Sequence, residues 1–85
     1  MRKITFTPEA YAQYVDWLEK DRKIFLKITD LIRDASRDPG KGLGKPELLK
    51  YELKGCWARR INQEHRLVYS VSESAIEIRS CMYHY

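Results

Sequence analysis

The residues best suited to chemistry lie in the second half of the chain, where acid–base groups alternate with cations. They are Glu47, Lys50, Arg59, Arg60, Glu64, His65, Arg66 and His84. Cleaving RNA without a metal needs a base for the 2′-hydroxyl proton, cations beside the phosphorus and an acid for the leaving 5′-oxygen. Carboxylates and imidazoles can act as acid and base, and tyrosines can stack on unpaired bases. The residue types therefore allow acid–base chemistry on an anion, although simple surface ion pairing would use the same residues.

Spacing disfavours several other reaction classes. A two-metal nuclease needs clustered carboxylates, whereas Glu47, Glu52 and Glu64 are scattered among cations. A serine hydrolase would need a strained G-x-S-x-G turn, which is missing. A zinc site could be drawn from Cys56, His65, Cys81 and His84, but no C-x-x-C knuckle supports it. We expect no metal and no cofactor, and we expect both cysteines to be core residues on strands.

The charge is concentrated in one segment. The chain has 16 Lys and Arg against 12 Asp and Glu, a formal net charge of +4. Residues 41–66 contain Lys41, Lys45, Lys50, Lys54, Arg59, Arg60 and Arg66, set against only Glu47, Glu52 and Glu64. If one face of the fold is electropositive, this segment builds it. Both a polyanion-binding face and an ordinary solvated surface fit the pattern.

Length and composition limit the class of protein. A chain of 85 residues predicts one domain over residues 1–85, and 44% hydrophobic residues are enough for a core. No apolar run approaches the ~18–20 residues of a membrane span, and we expect no signal peptide and no membrane partner. Two cysteines make no disulfide framework, which favours a reducing cytoplasm.

Residues 40–47, with the sequence GKGLGKPE, are the one segment of unusual composition. A glycine loop can bring backbone N–H groups to phosphate, but the dinucleotide-binding fingerprint needs a strand before it and a helix after it. Here a predicted helix precedes and a strand-like segment follows. A flexible helix-to-strand connection is the favoured interpretation, and a loop that offers lysines to a nucleic-acid backbone is the alternative.

The first half of the chain predicts a strand followed by a helical hairpin. Residues 1–6 alternate as a short strand does, and Thr7 and Pro8 are typical of a helix start. The expected apolar stripe of the first helix is Tyr11, Tyr14, Val15 and Leu18. Asp21 can cap a second helix, which Pro39 ends. Its expected stripe is Ile24, Ile28, Leu31, Ile32 and Ala35.

The second half predicts four short strands at residues 49–53, 57–62, 66–71 and 75–83. Adjacent short strands favour an antiparallel meander. Strand, helical hairpin and meander together predict an α+β fold with the helices on one sheet face. Arg59 and Arg60 are neighbours on one strand, so we expect them to point to opposite faces.

The order of these residues resembles the YoeB/Txe family of toxins, within the wider RelE-like group. The resemblance is carried by GLGKPELLK at 42–50, WARRI at 57–61, EHRLVY at 64–69 and the closing Tyr83-His84-Tyr85, and it covers nearly the whole chain. It implies a RelE-like, microbial-RNase-like fold and a toxin that cuts mRNA in the decoding site of a bacterial ribosome. It also implies a YefM-like antitoxin that neutralises the toxin, with the pair binding operator DNA to repress its own operon. Monomer and homodimer stay open.

The resemblance also assigns roles to individual residues. It implies that Glu47 is the general base, His84 the general acid and Arg66 the group that stabilises charge on the phosphorane, while Tyr85 positions the base or the scissile phosphate. Lys45, Lys50 and Arg60 would hold an RNA backbone, and Glu64 would orient Arg66. The sequence departs from the usual pattern at Met82, where a basic residue is common, and at Cys56, where an aromatic is common.

Two further hypotheses remain beside the mRNA-cleaving toxin. A non-catalytic module could block translation by occupying the ribosome, and it would not need Glu47. A protein used mainly for DNA-binding repression with its antitoxin would instead protect its own promoter in footprinting.

Overall fold

Five strands form one mixed sheet in the computed structural model, which describes residues 1–84. The strand order is β1-β5-β4-β3-β2; β1 pairs parallel with β5, and the other neighbours are antiparallel. The predicted α+β fold, with a strand, a helical hairpin and a meander, is confirmed. The elements are β1 (Lys3–Phe6), α1 (Pro8–Lys20), α2 (Arg22–Arg37), β2 (Glu47–Leu48), a 3-10 turn (Tyr51–Leu53), β3 (Cys56–Arg60), β4 (Arg66–Val71) and β5 (Ala75–Ser80).

Both helices begin at the predicted caps. The Thr7 hydroxyl accepts the Ala10 N–H at 3.1 Å, and Pro8 is the first residue of α1. The Asp21 carboxylate accepts the N–H groups of Lys23 and Ile24, so one residue separates the two helices. Each side chain takes up backbone donors that the first turn of a helix cannot satisfy by itself.

The predicted buried face of α1 is wrong by part of a turn. Of the predicted stripe, Tyr14 packs against the core, whereas Tyr11, Val15 and Leu18 are exposed. The residues that the helix fully buries are Ala10 and Trp17. Trp17 occupies the interior because its Nε1–H donates to the Cys81 carbonyl at 2.9 Å, which satisfies its polar atom there. Hydrophobic spacing alone did not distinguish this face from the neighbouring one.

The main core lies between the helices and one face of the sheet. The stripe predicted for α2 is confirmed, with Ile24 only partly buried. From the sheet, the core contains Leu67, Tyr69, Ile76 and Ile78, whose spacing of two follows from the alternation of a strand. Both cysteines are buried as predicted, Cys81 in this core and Cys56 in a smaller cluster with Leu49, Ala58 and Val68. Cys56 is on β3 as predicted, but Cys81 is not on a strand, because β5 ends at Ser80.

The strand predicted at residues 49–53 is wrong. The extended part is only Glu47–Leu48, and the chain then closes a 3-10 turn at Tyr51–Leu53. Leu49 and Leu53 pack in the smaller cluster while Tyr51 between them is exposed, and Tyr51 has a positive φ of 59° that no strand contains. The strand predicted at 57–62 begins one residue earlier and ends two residues earlier, at Cys56–Arg60, and the strand predicted at 75–83 ends at Ser80. Within residues 1–84, neither helix is long and apolar enough to cross a membrane.

Candidate active site

Three of the predicted site residues lie on the sheet face that points away from the helices. Glu47 on β2 pairs with Ala58 on β3, and Arg60, two residues further along β3, pairs with Arg66 on β4. Paired residues share a face, and so do residues two apart on one strand. The register alone therefore brings Glu47, Arg60 and Arg66 together. They line a cleft of about 250 Å³ with Lys45, Ala58 and Arg59.

The cleft has an excess of positive charge. Arg60 and Arg66 are directly opposed across two antiparallel strands, an arrangement that destabilises a sheet by up to about 1 kcal/mol. Lys45 adds a third cation at the edge, and Glu47 is the carboxylate among the lining residues. A bound anion would relieve the repulsion between the two guanidinium groups, so the arrangement suits a phosphate.

Backbone carbonyls orient Arg66. Its Nη1 donates to the carbonyl of Asn62 at 2.6 Å and to that of His65 at 3.0 Å, with a longer contact to Gln63 at 3.4 Å. The Glu64 carboxylate, which is predicted to orient Arg66, lies beside His65 Nε2 at 3.7 Å, and its role at Arg66 stays a prediction. The carbonyls of the 62–65 turn thus hold the guanidinium in place.

His84 is brought to this edge of the sheet by the residue before it. The Tyr83 carbonyl accepts the N–H of Arg66 at 3.0 Å, and the Tyr83 N–H donates to Nδ1 of His65 at 2.7 Å. His65 is buried and packs edge-on against Trp17, with ring centroids 4.8 Å apart. The backbone of Tyr83, the residue before His84, is thus fixed beside Arg66. Tyr85, the remaining predicted catalytic residue, lies outside the described residues.

Arg59 fixes the loop that leads to Lys45 and Glu47. Its side chain is fully buried on the helix side, opposite to Arg60 as predicted, and Nη1 pairs with Asp34 Oδ2 at 2.5 Å. The same guanidinium donates to the carbonyls of Asp38, Lys41 and Leu43, and Nε donates to the Tyr69 hydroxyl at 2.9 Å. These carbonyls belong to the connection between α2 and β2, from its first residue, Asp38, into the glycine-rich loop, so one side chain helps to fix its path.

Two pKa shifts follow from this network. The Leu43 N–H, and then Arg59, hold the pKa of the Asp34 carboxyl below its ordinary value. Burial raises the pKa of the Tyr69 hydroxyl, so the phenol stays neutral and donates to the Pro39 carbonyl. The network therefore joins α2, β3, β4 and the loop.

Gly44 holds the loop directly against β3. Its carbonyl accepts the Arg60 N–H at 2.6 Å, and its φ is +78°. A Cβ atom there would lie 3.0 Å from the Arg60 carbonyl and 2.9 Å from Leu31 Cδ2. Only glycine combines this backbone conformation with this approach. The segment connects α2 to β2, as the favoured interpretation expects, but hydrogen bonds fix its path. The next residue, Lys45, lines the cleft, and its contact with a nucleic-acid backbone stays a prediction.

The remaining predicted residues lie outside the cleft. Lys50 lines an adjoining cleft of about 330 Å³, which shares Glu47 with the first. Glu64 is exposed on the 62–65 turn. Among residues 1–84 no group of three or more His, Cys, Asp and Glu side chains could hold a metal ion. Cys56 and Cys81 belong to different clusters of buried residues.

Sequence reasoning named Arg59 and His65 as candidates for chemistry but missed that they position the site. The partners of Arg59 are mostly loop carbonyls, and the partner of His65 is a backbone N–H 18 residues away. Neither pairing has a local sequence pattern. An arginine on the core side of a predicted strand was the one signal present, because a charge there must have buried partners.

Comparison with known proteins supports a single family. Toxin YoeB of Escherichia coli (strain K12) is 47% identical over 83 residues, which cover 98% of this chain and 99% of that protein. The YoeB dimer of Staphylococcus aureus superposes with a TM-score of 0.90 at 46% identity, covering 99% of this chain and 98% of that one. A chain of the heterotetrameric YoeB–YefM toxin–antitoxin complex of Staphylococcus aureus superposes with a TM-score of 0.89 at 45% identity, covering 100% of this chain and 99% of that one. Residues 6–85 match the model of the YoeB-like toxins, so the chain belongs to this family of toxins of bacterial type II toxin–antitoxin systems.

Proposed function

We propose that the protein is a ribosome-dependent endoribonuclease that cuts mRNA in the ribosomal decoding site and so stops translation. The observation that supports this most directly is the cleft in which Glu47 stands among Lys45, Arg60 and Arg66. Attack on a phosphodiester requires a base with cations beside it, because negative charge grows on the phosphoryl oxygens in the transition state.

In the proposed reaction Glu47 takes the proton of a 2′-hydroxyl, and the oxygen attacks the adjacent phosphorus. Arg66, helped by Arg60, stabilises the charged phosphorane. The bond to the 5′-oxygen then breaks, and His84 gives that oxygen a proton. The products are a 2′,3′-cyclic phosphate and a 5′-hydroxyl. Tyr85 would position the base or the phosphate, and no metal or cofactor enters the sequence of steps.

Dependence on the ribosome has a physical reason. Glu47 is exposed on a strand of two residues, and His84 is exposed at the chain end. Acid and base contribute fully only when the substrate holds them in a reactive geometry. We expect the ribosome to supply that order, with Lys50 holding the RNA backbone and Glu64 acting only near His65. Cleavage of naked RNA should therefore be weak.

The proposed partners follow from the family. We propose a YefM-like antitoxin, a bacterial ribosome with mRNA, and operator DNA bound only together with the antitoxin. Similarity to a chain from a YoeB–YefM complex and to a YoeB dimer supports an antitoxin partner and a homodimer. A cytoplasmic location follows from the proposed ribosomal substrate.

The test is expression without antitoxin, followed by primer extension on mRNA from arrested ribosomes. We expect growth arrest and new 5′ ends inside the codon at the decoding site. Glu47→Gln should abolish these ends, because the amide keeps the shape of the side chain but cannot take the proton. The matched control is Glu52→Gln, an exposed glutamate that lies outside both clefts. Arrest without cleaved ends, retained by Glu47→Gln, would favour a non-catalytic ribosome blocker and refute the proposal.

A further inference from the structure

Strained backbone positions cluster around the candidate site. Of residues 1–84, the non-glycine residues with positive φ are Lys45, Tyr51 and Tyr83. Lys45 lines the catalytic cleft, and Tyr83 is hydrogen-bonded beside Arg66. Strain of this kind persists where the surrounding structure enforces it and is concentrated at functional sites. Lys45 and Tyr83 thus have a place at the candidate site, whereas Tyr51 has no role in the function proposed above.

The side chain of Tyr51 contributes little to the fold. It is 90% exposed, and its neighbours Leu49 and Leu53 point into the smaller cluster instead. Its φ of 59° is left-handed, a conformation that glycine or asparagine adopts more readily than a tyrosine. Nearby, the chain uses glycine at Gly42, Gly44 and Gly55 to adopt positive φ. The ring does not pack in the core, and a tyrosine does not favour this backbone conformation, so the fold alone gives no reason for a tyrosine at this position.

The surroundings of Tyr51 indicate what that ring meets. It lines the adjoining cleft with Leu48, Leu49, Lys50 and Leu53, and Glu47 belongs to this cleft and to the catalytic one. Leucines and a tyrosine provide apolar walls, and Lys50 provides one cation at the edge. A nucleobase has the matching chemistry, with flat apolar faces next to a charged phosphate.

We propose that this cleft is a nucleobase subsite for the mRNA, in which Tyr51 stacks on the base next to the scissile phosphate. The inference rests on the function proposed above, because the shared residue Glu47 connects the two clefts. Lys50 holds the phosphate of the stacked nucleotide. Stacking is indifferent to base identity, so Tyr51 contributes affinity and position, and little preference among codons.

The test compares Tyr51→Asn with Tyr51→Phe in single-turnover cleavage on ribosomes programmed with a short mRNA. Asparagine suits the left-handed backbone, so the urea midpoint of Tyr51→Asn should equal or exceed that of the wild type. Loss of the ring should raise the half-saturating toxin concentration about 5- to 150-fold, while Tyr51→Phe stays within about twofold. A cleavage curve for Tyr51→Asn that matches the wild type would overturn the proposal. So would an equal loss in Tyr51→Phe, since that result would assign the effect to the hydroxyl.

An abasic nucleotide identifies the stacked base. It is placed at each position around the cleavage site in turn. At one position it should raise the half-saturating concentration of the wild type by the same factor as Tyr51→Asn does. At that position it should not raise the half-saturating concentration of Tyr51→Asn any further. Additive losses at every position would refute direct stacking.

Failure of the proposed function is recognised separately. If wild type and Glu47→Gln both leave the mRNA uncut, the endonuclease is refuted. The subsite is then judged by binding of a fluorescein-labelled 2′-O-methyl RNA oligonucleotide. Weaker binding by Tyr51→Asn than by Tyr51→Phe supports the subsite, and equal binding overturns it.

Discussion

The ion pair between Asp34 and Arg59 gives a quantitative test of how the loop before the site is held. In Asp34→Asn, the buried guanidinium loses its counter-charge but keeps the Tyr69 hydroxyl and three loop carbonyls as acceptors. Removing one partner of a buried pair destabilises a protein by about 3–5 kcal/mol. The Asp34 side chain is 27% exposed and four acceptors remain, so we expect the free energy of unfolding to fall by about 2–3 kcal/mol.

Urea unfolding followed by tryptophan fluorescence measures this change, because Trp17 and Trp57 both contact the main core. The matched control is Asp16→Asn. Asp16 pairs with Lys20 at 3.0 Å, but both side chains are 52% exposed, and such pairs contribute at most about 1 kcal/mol. If Asp34→Asn lowers the free energy of unfolding no more than Asp16→Asn does, Arg59 does not depend on its counter-charge and the reasoning is refuted.

The same variant predicts a pH dependence. The pKa of Asp34 lies below its ordinary 3.8 in the folded protein, so the carboxylate stabilises the fold above that value. Its contribution is lost as the pH falls through the folded-state pKa. The gap in stability between wild type and Asp34→Asn should therefore be full at pH 6 and begin to narrow below about pH 4. A gap that stays constant down to pH 2 would contradict the assigned charge state.

Three further predictions concern the loop, the chain end and the core. Gly44→Ala should lower the free energy of unfolding by about 2–4 kcal/mol in urea titrations, because its Cβ would meet the Arg60 carbonyl at a positive φ. Gly55 also has a positive φ but faces open space, so Gly55→Ala should lower the free energy of unfolding less. His65→Leu should slow ribosomal cleavage at least about tenfold, because the Tyr83 N–H loses its acceptor. His65→Asn should restore most of the rate, because its Oδ1 can replace Nδ1 as that acceptor. Equal rates in the two variants would exclude a role for this hydrogen bond. Burial raises the pKa of the Cys81 thiol to about 12. In a Cys56→Ala background, a thiol reagent at pH 8 should therefore react quickly with Cys81 only in urea. Fast labelling of the native protein would contradict the burial of Cys81.

Much of the fold could be predicted because its signals are local. The caps at Thr7 and Asp21, the stripe of α2 and the limits of β4 all follow from residues within one or two turns of each other. The buried face of α1 could not be predicted from spacing, since it depends on a hydrogen bond from Trp17 to Cys81 across the fold. The turn at Tyr51 was missed for a similar reason: it is closed by backbone bonds at positive φ, and its sequence alternates like a strand.

The candidate site was predicted unevenly. Strand alternation was enough to predict that Arg59 and Arg60 point to opposite faces of the sheet. The pairing register then explains why Arg60, Arg66 and Glu47 lie close together. The roles of Glu47 and His84 came from resemblance, because no local pattern distinguishes a catalytic glutamate from a surface one. The carbonyls that hold Arg66 belong to a turn whose shape the sequence does not specify.

The adjacent arginines show how the sheet couples stability to the site. Because successive side chains on β3 point to opposite faces, Arg59 binds the loop from the core side while Arg60 stands in the cleft. The loop held by Arg59 returns at Gly44 to the backbone of Arg60 and continues to Lys45 and Glu47. Any change that loosens the Arg59 network therefore moves two residues of the cleft without touching the substrate. Asp34→Asn should accordingly reduce cleavage even at temperatures where the protein is fully folded, and rates equal to those of Asp16→Asn under those conditions would show that loop and site are independent.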